Sequence, residues 1–357
     1  MFKQIKRLFG LLILLMIVVV LGGCNAEKYN SPIEQFEIHT ELQMKYLQGD
    51  YKLISIYASG EEELSKPEAI TLTWDATKDV KDYDVFLSED PKFKEYRLFE
   101  TTVAQVEVKN LKINTVYYWY VEYELNEDTV KSDVRRFIID CHTPRNLDID
   151  GLTNVRDIGG YKVGESYTNQ GLIYRSSRLN ENESTTNLIT EKGIKEMVDV
   201  LKIKSELDVR KTSDNENGGI TSSPLGEDVN YYSVPMKSGG NYLLLNTSVL
   251  KDVFAVLGNK ENYPIVIHCS IGTDRTGVIC FLVNALLGVE EQYLYQDYLF
   301  SMFGHITVTR NASTIEKYIN MISSSEGDTL KEKTYSYLLN LGVAESDLNN
   351  LIEIMTK

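Results

Sequence analysis

The chain has 357 residues, and 43% of them are hydrophobic, so it is long enough to bury the cores of two globular domains. Its formal charge of −15 at pH 7 excludes general affinity for nucleic acid or for an anionic membrane surface. Any anionic substrate must therefore be bound by a local positively charged site.

Residues 1–23 are organised like a secretory signal sequence. Three basic residues precede the uncharged apolar run "LFGLLILLMIVVV", and "LGGC" follows at once. This ending resembles a bacterial lipobox, which implies that Cys24 is acylated and becomes the mature N-terminus. A transmembrane anchor is the alternative, because the run approaches the length needed to span a bilayer. Both interpretations attach the remaining chain, with a formal charge of about −18, to the outer side of the membrane.

The sequence contains four cysteines, Cys24, Cys141, Cys269 and Cys280. With Cys24 acylated, the three that remain are an odd number, so at least one is a free thiol unless it pairs with another molecule. Cys280 falls in an apolar run and is expected in a core, whereas Cys141 has no evident partner. The sequence therefore predicts no disulfide framework.

Two segments with different patterns follow the signal sequence. Residues 24–65 are polar and mixed in composition, and we interpret them as a tether. Residues 66–141 consist of short alternating runs separated by turn residues, which is typical of an antiparallel β-sandwich. These runs are "AITLTWDA", "DYDVFLSED", "YRLFETT", "AQVEVKNL", "VYYWYVEYE" and "RRFIID".

Two features of the predicted sandwich resemble a fibronectin type III domain. Trp74 lies in an early strand, and "NLKINTVYYWYV" is similar to the family's leucine–turn–Thr–x–Tyr segment, with Tyr117 as the corner tyrosine. The resemblance implies a core face and a solvent face for this strand, and a surface for an unknown protein or carbohydrate partner. The core face would carry Leu111, Tyr117, Trp119 and Val121, and the solvent face Tyr118 and Tyr120.

Residues 145–357 have the pattern of an α/β domain with a helical C-terminal part. "SELDVR" and "NYYSVPM" are typical of strands, and "YPIVIHC" is apolar enough for a strand buried on both faces. "TGVICFLVNALLG" predicts a buried helix that ends at Gly288. We therefore expect a central, mostly parallel sheet flanked by helices. Further runs have helical spacing: "KGIKEMVDVLKI", "VEEQYLYQDYLFSM", "ASTIEKYINMI", "KEKTYSYLLNL" and "ESDLNNLIEIMT".

The loop between the buried strand and the buried helix, "HCSIGTDRTG", combines a cysteine with an arginine. Successive N–H groups in such a turn form an anion-binding nest, and the start of the helix adds its dipole. Gly272 permits a conformation or a close approach that a side chain would block. Arg275 can donate two parallel N–H groups to a phosphate, and the same positive field lowers the pKa of Cys269. The loop is therefore suited to phosphoryl transfer by a thiolate nucleophile.

This loop contains a Cys-x5-Arg signature and resembles that of the bacterial secreted tyrosine phosphatases, within the protein tyrosine phosphatase superfamily. Two other segments agree with that family, namely "NVRDIGGY" followed by "GLIYRSSRL", and the strand end "LDVR". The resemblance covers residues 145–310 and implies a role for each loop residue. Cys269 would attack phosphorus and form a cysteinyl-phosphate, Arg275 would bind the equatorial oxygens, and Thr276 would hydrogen-bond the departing sulfur. The phosphate would also be held by Ser270, Ile271, Gly272 and Thr273.

The leaving phenolate needs a proton from a general acid. Asp274 is the first candidate, because related bacterial enzymes carry an acid inside the loop, and Asp208, at the end of a strand, is the second. An orienting carboxylate is the alternative role for Asp274. Nothing resembles a metal cluster, so we expect neither metal nor cofactor. Other residues are expected to orient or brace the loop, or to shape its rim: His268, Asn154, Arg156, Asp157, Arg175 and Ser176.

The identity of the loop residues bears on the substrate. The similar family often carries a lysine just before the Asp-Arg pair, a feature linked to phosphoinositide substrates, but Thr273 stands here and Ile271 is apolar. This favours phosphotyrosine in a protein, or a small phosphate ester, with phosphoinositides or inositol phosphates as the alternative. A non-catalytic binding lipoprotein is a second alternative, although the chain retains both the cysteine and the arginine. A cysteine hydrolase fits poorly, because His268 would point away from Cys269.

Overall fold

The computed structural model describes residues 33–180, 189–211 and 219–356. The predicted signal sequence and Cys24 lie outside the described residues, so the lipobox stays a prediction. Within the described ranges, no helix combines the length and the apolar character needed to cross a bilayer.

The first part of the described chain is an all-β sandwich. One sheet has the strand order β1-β8-β6-β3-β4, with β7 added to β6, and β2 pairs with β5 in a second, two-stranded sheet. All these pairs are antiparallel except β1 with β8. The strands are β1 (Glu34–Phe36), β2 (Ile70–Thr73), β3 (Tyr83–Ser88), β4 (Arg97–Thr101), β5 (Gln105–Val108), β6 (Thr115–Leu125), β7 (Asp128–Lys131) and β8 (Arg135–Ile139).

The core face predicted for β6 is confirmed. The corner tyrosine, Tyr117, accepts a hydrogen bond from the backbone N–H of Lys112 at 2.7 Å. The side chains of Leu111, Tyr117, Trp119 and Val121 are all buried in the core between the two sheets.

The solvent face predicted for β6 is wrong at Tyr120, which is only 7% exposed. Tyr120 does lie on the outer face, but Phe86 stacks on its ring with centroids 4.7 Å apart, and Phe93 packs edge-on at the same distance. The ammonium group of Lys131 lies 3.3 Å from the ring centroid. An aromatic cluster on the outer face therefore covers a position that strand alternation alone assigns to solvent.

Residues 33–65 pack against the rest of the protein and are not the tether that their composition suggested. Strand β1 extends the larger sheet, and helix α1 (Glu41–Gln48) begins at Thr40 with a capping box. Tyr46 and Leu47 of α1 are buried in the core of the second part of the chain. The polar residues that suggested a tether lie on the exposed face of α1 and in the turns that follow it.

The second part of the described chain is built on a six-stranded sheet with the order β15-β14-β16-β13-β10-β9. Strands β15, β14, β16 and β13 are parallel, so their carboxyl ends meet at one edge, and β10 and β9 continue the sheet antiparallel. The remaining pair, β11 with β12, forms a separate hairpin. The strands are β9 (Arg145–Asn146), β10 (Arg156–Asp157), β11 (Lys162–Val163), β12 (Ser166–Tyr167), β13 (Ile173–Ser176), β14 (Ser205–Asp208), β15 (Asn230–Ser233) and β16 (Ile265–His268).

The helices confirm the predicted α/β pattern with a helical C-terminal part. Helix α5 is buried along its whole length, as is β16, and α5 ends at Gly288 in the left-handed conformation. Helix α2 continues into a π-helical turn over Glu196–Val200. The helices are α2 (Glu191–Lys195), α3 (Tyr242–Leu245), α4 (Leu250–Leu257), α5 (Asp274–Leu287), α6 (Glu291–Phe300), α7 (Ser313–Ile322), α8 (Leu330–Asn340) and α9 (Glu345–Thr356).

Arg145 joins the sandwich to the α/β part. Its guanidinium donates to the backbone carbonyls of Leu111 and Asn110, both at 2.9 Å, and to the carboxylate of Asp157 at 2.8 Å. Asp157 in turn accepts from two backbone N–H groups, those of Gly159 and Gly171. The junction is therefore held by a buried ion pair, and both the guanidinium and the carboxylate of this pair make further hydrogen bonds to the backbone.

Candidate active site

The Cys-x5-Arg loop lies at the carboxyl edge of the parallel strands. Strand β16 delivers Cys269, and α5 begins at Asp274. Gly272 has φ +69°, and a Cβ atom there would lie 2.2 Å from the backbone oxygen of Ser176. Only glycine fits this position, because both the conformation and the space exclude a side chain.

The carbonyl groups of the loop are tied to the protein behind it. The side chain of Asn154 donates to the oxygen of Ile271 at 3.0 Å and to Oγ1 of Thr273 at 3.3 Å. Arg175 donates to the carbonyl of Gly272 at 2.7 Å, and the backbone N–H of Arg178 donates to Ser270 at 3.2 Å. With its carbonyls turned into the protein, the loop can present N–H groups to an anion on its other side.

Two arginines that brace the loop share one carboxylate. Arg156 donates from Nε to Oδ1 of Asp297 at 2.8 Å, and Arg175 donates to Oδ2 at 2.5 Å. Arg156 also binds the side-chain oxygen of Asn154. Burial by itself would raise the pKa of Asp297, but the charges of Arg175 and Arg156 outweigh it and hold the pKa below its usual value. Asn154, Arg156 and Arg175 therefore brace the loop and do not form its rim.

The environment of Cys269 favours its thiolate. The side chain is only 2% exposed, and this burial alone would raise its pKa. The charge of Arg275 and the polar groups of Thr276 outweigh burial, so the pKa of Cys269 lies below its ordinary value. Arg275 also donates to Oγ of Ser270 at 3.1 Å, which holds its guanidinium across the loop. The loop therefore combines a nucleophile with a fixed positive charge.

Asp274 lies at the first turn of α5 and is held by two partners. Arg310 donates from Nε to Oδ1 at 2.8 Å and from Nη2 to Oδ2 at 2.7 Å. The hydroxyl of Tyr298 donates to Oδ1 at 2.9 Å. The carboxylate is thus part of a bidentate ion pair beside the loop.

Comparison with known proteins agrees with this site. Residues 147–355, more than half of the chain, match the tyrosine phosphatase family. The chain belongs to the tyrosine phosphatase family. It is a cysteine-based phosphatase, and the non-catalytic alternative is set aside.

Two solved structures are also similar to this phosphatase. The core catalytic domain of the PP-IP phosphatase Siw14 from S. cerevisiae, in complex with citrate, is 21% identical and covers 44% of this chain and 90% of its own, with a TM-score of 0.29. A second structure of the Siw14 catalytic core is 16% identical and covers 54% of this chain and 93% of its own, with a TM-score of 0.31. Superpositions at this level do not bear on the substrate of this phosphatase.

Asp208, the second candidate acid, does not fit that role in the phosphatase. It is fully buried, and Arg210 binds its carboxylate through Nε and Nη2, the latter at 2.7 Å. Burial would raise its pKa, but the charges of His268 and Arg210 and the bonds from Arg210 lower it to about 2. A carboxylate held ionised in this way cannot supply a proton near neutral pH.

His268, predicted to orient the loop, lies behind it in the protein interior. Its Nε2 lies 2.8 Å from Oε1 of Glu206, and the side chain is fully buried. Burial by itself would lower the pKa of His268, but the neighbouring charges of Asp208 and Glu206 raise it above its ordinary value. The imidazole thus belongs to a buried charge network next to Cys269 and makes no surface available to substrate.

The other predicted residues have structural positions in the phosphatase. Asp157 holds the domain junction, and Oγ of Ser176 donates to the carbonyl of Ser177. The described cysteines are free thiols, and burial raises the pKa of Cys280 to about 11 and that of Cys141 even further. Cys280 is therefore an inert core residue, as predicted.

Two groups of side chains have the donor atoms that a metal ion needs. In each, the potential ligand atoms lie within 4.8 Å of one another, although sequence spacing suggested no such cluster. In the group next to the loop, Arg210 and Tyr231 already bind the carboxylate of Asp208, which makes it an ion-pair network. The groups are Glu37, His39 and Cys141, and Glu206, Asp208 and His268.

Sequence reasoning missed Asp297, Arg310, Glu206 and Tyr298. Each of them binds a residue that the motifs did identify, but from an element distant in sequence. One signal was readable: Asp297 interrupts the apolar face of "LYQDYLF", and a carboxylate in a buried helix requires a cationic partner. Nothing in the local sequence of Arg310 distinguishes it from a surface arginine.

Proposed function

We propose that this phosphatase hydrolyses phosphate monoesters, with protein phosphotyrosine as the substrate, through a cysteinyl-phosphate intermediate. The observation that carries the proposal is the placement of Cys269 and Arg275 in one loop whose carbonyls are bound from behind, where the charge of Arg275 lowers the pKa of Cys269. Such a loop binds the phosphate and activates the nucleophile with the same charge.

In the first step the sulfur of Cys269 attacks phosphorus while Arg275 holds the equatorial oxygens. The S–P bond forms as the bond from phosphorus to the leaving oxygen breaks. Asp274 gives its proton to that oxygen, so tyrosine departs as a neutral phenol. General acid catalysis matters most for a leaving group as basic as the tyrosine phenolate.

In the second step water attacks phosphorus and the S–P bond breaks. The carboxylate of Asp274 takes a proton from the attacking water, and phosphate is released. The buried hydroxyl of Thr276, which has no other hydrogen-bond partner within the described chain, donates to the departing sulfur in this step and makes Cys269 a better leaving group. The two steps return the enzyme to a thiolate.

The charge of the loop supports a substrate with a single phosphate. Thr273 is fully buried, and its Oγ1 donates to the carbonyl of Ile271 at 3.4 Å, so this position presents no cation to the substrate. Arg275 is the cation that the loop itself provides. A monophosphate on an aromatic side chain needs no further cation within the loop, whereas a polyphosphorylated inositide does.

We also propose that the enzyme is anchored outside the cytoplasm by a lipid on Cys24, with a fibronectin type III-like sandwich next to the catalytic domain. The signal-like pattern of residues 1–23 and the buried corner tyrosine, Tyr117, support these two proposals. Cys24→Ala should abolish labelling by fatty acid and release the protein from the membrane fraction. Unchanged membrane association of that variant would favour a transmembrane anchor.

The experiment that tests the activity uses residues 25–357 and the Cys269→Ser variant as control. Phosphate release is compared for phosphotyrosine, phosphoserine and phosphothreonine peptides and for a panel of phosphoinositides. We expect turnover that depends on Cys269 and is greatest for phosphotyrosine. Turnover led by phosphoinositides would keep the mechanism and overturn the substrate, and turnover retained by Cys269→Ser would overturn the mechanism.

A further inference from the structure

The segments that leave the sandwich carry a cluster of metal-ligating side chains, Glu37, His39 and Cys141. Strands β1 and β8 run parallel and end side by side, with Phe36 opposite Ile139. Glu37 and His39 follow the first strand and Cys141 follows the second, so the pairing of the strands brings the two segments together. Their potential ligand atoms are a carboxylate oxygen, an imidazole nitrogen and a sulfur, and these atoms lie within 4.8 Å of one another.

The imidazole of His39 has the orientation of a metal ligand. Its Nε2 lies 2.9 Å from the carbonyl oxygen of Pro144, which can only accept, so Nε2 carries a proton. Its Nδ1 faces Oε1 of Glu37 at 2.8 Å. A histidine that binds a metal ion through one nitrogen commonly donates its other N–H to a backbone carbonyl, which fixes the ring. The side chain of His39 is fully buried, so the surrounding protein holds this orientation.

The contact between His39 and Glu37 needs a positive centre between the two atoms. With Nε2 protonated, a neutral imidazole presents a lone pair at Nδ1, and a carboxylate oxygen also presents lone pairs. A proton between them satisfies both atoms, and a divalent cation can take the place of that proton. The thiol of Cys141, which is buried beside this contact, offers the cation a third ligand.

The charges around this cluster distinguish it from the other group of metal-ligating atoms, next to the catalytic loop. There, Arg210 binds the carboxylate of Asp208 and supplies a permanent positive charge. Within the described part of the chain, Glu37 forms an ion pair with His39 and with no lysine or arginine. A carboxylate and a thiolate together carry two negative charges, which one divalent ion balances. The side chain of Glu37 is 31% exposed, so an ion and a water ligand can reach the cluster.

We propose that Glu37, His39 and Cys141 bind one Zn²⁺ ion, with water in the fourth position. One sulfur, one imidazole nitrogen and one carboxylate oxygen suit the tetrahedral coordination of Zn²⁺. The ion replaces the thiol proton and the proton between His39 and Glu37, and both protons pass to solvent. It joins the segments that leave β1 and β8, next to Phe300 of α6, whose ring centroid lies 6.3 Å from that of His39. The bound ion therefore clamps the sandwich to the α/β part and takes no part in phosphoryl transfer.

The test uses residues 25–357, which keep every element that the structure describes, after removal of metal with EDTA. All proteins carry Cys269→Ser, because the catalytic thiolate can itself bind a metal ion. Co²⁺ is the probe, since it replaces Zn²⁺ and gives a near-ultraviolet charge-transfer band when a thiolate binds it. We expect one equivalent of Co²⁺ per chain to produce this band and Zn²⁺ to abolish it. Adding Cys141→Ser should remove the band, whereas Cys280→Ala, which changes another buried cysteine, should keep it.

The melting temperature gives a second measurement. Zn²⁺ should raise it in the Cys269→Ser protein and not after the addition of Cys141→Ser, because only the intact cluster binds the ion in the folded state. Should Cys141→Ser not fold, His39→Gln replaces it, and this variant should bind Co²⁺ about 10-fold more weakly or worse.

Three results would overturn the inference. They are the absence of a thiolate band, a band that persists when Cys141 is replaced, and an unchanged Co²⁺ affinity in His39→Gln. Binding of Co²⁺ without the band would assign the ion to a site that lacks a cysteine, such as the group next to the catalytic loop, and would also overturn it. None of these measurements reads phosphatase activity, so their outcome is independent of the proposed function.

Discussion

Two carboxylates flank the phosphate-binding loop, and they differ in how tightly they are enclosed. Asp297 is 4% exposed and holds two fully buried arginines, whereas Asp274 is 8% exposed and holds one arginine at the edge of the protein. A buried carboxylate between two buried cations has a single low-energy arrangement, because separating any of the three would leave an unpaired charge inside the protein. A pair at the edge can exchange its partner for water or substrate. The first cluster therefore fixes the loop, and the second is suited to proton transfer.

The largest effect is expected from Asp297→Asn, which leaves the charges of Arg156 and Arg175 buried without compensation. We expect a loss of about 3–5 kcal/mol in the free energy of unfolding. Urea denaturation at neutral pH measures it. A loss below about 1 kcal/mol, the value for an exposed pair, would show that the two clusters do not differ in the way proposed.

Asp274→Asn should have the opposite profile, with a large effect on catalysis and a small one on folding. We expect kcat/KM for phenyl phosphate to fall about 100-fold or more. The free energy of unfolding should change by less than in Asp297→Asn, because one arginine, 15% exposed, loses its partner instead of two that are 1% and 0% exposed. Kinetics and urea denaturation on one preparation give both values, with Asp297→Asn as the matched comparison. Strong destabilisation of Asp274→Asn would assign it a structural role.

The third prediction concerns Asp208, whose buried environment resembles that of Asp297. Burial opposes ionisation, but His268 and Arg210 lower the folded-state pKa of Asp208 to about 2, below its ordinary value of 3.8. The unfolded chain therefore binds the proton more readily, so the stabilisation is complete above about pH 4 and is lost as pH falls towards 2. We expect about 2 kcal/mol from this group.

Unfolding by urea between pH 2 and pH 6 tests this prediction, with Asp208→Asn as the control. The variant should be less stable at neutral pH, since it leaves Arg210 unpaired, but its stability should fall less steeply with acid. If stability falls equally steeply with acid in the wild-type protein and in Asp208→Asn, the pKa of Asp208 is not lowered by folding and the prediction is wrong.

The smallest effect is expected from chelation. The thiolate of Cys269 and the guanidinium of Arg275 suffice for the proposed chemistry, so EDTA should leave kcat unchanged within error. A full loss of activity that Zn²⁺ or another divalent ion restores would contradict this expectation, and would direct attention to the buried clusters of His, Cys and carboxylate side chains.

The part of the site that could be predicted is the part that is local in sequence. Cys269 and Arg275 lie in one loop, and the apolar runs on either side identify a buried strand and a buried helix. The partners Asp297 and Arg310 reach the site through tertiary folding, and no periodicity links them to it. This is why the sequence offered Asp274 as the first candidate and Asp208 as the second without excluding either, although Asp208 is fully buried against Arg210.

Outside the site, two predictions made from the sequence pattern were wrong because tertiary packing buries residues that the pattern assigned to solvent. The polar segment before Ser65 contains α1, whose buried face is short and whose exposed face dominates the composition. Tyr120 obeys strand alternation, but aromatic neighbours on the outer face cover it. In both cases the sequence shows which residues are polar and not what packs over them.

The measurement that tests the central claim most directly is the capture of the phosphoenzyme. The enzyme is mixed with a phosphotyrosine peptide carrying labelled phosphate, quenched in denaturant within milliseconds, digested, and searched for the labelled residue. We predict label on Cys269 at up to one equivalent per chain, and none in Cys269→Ser. Turnover of the peptide without label on Cys269, or label that persists in Cys269→Ser, would contradict the account.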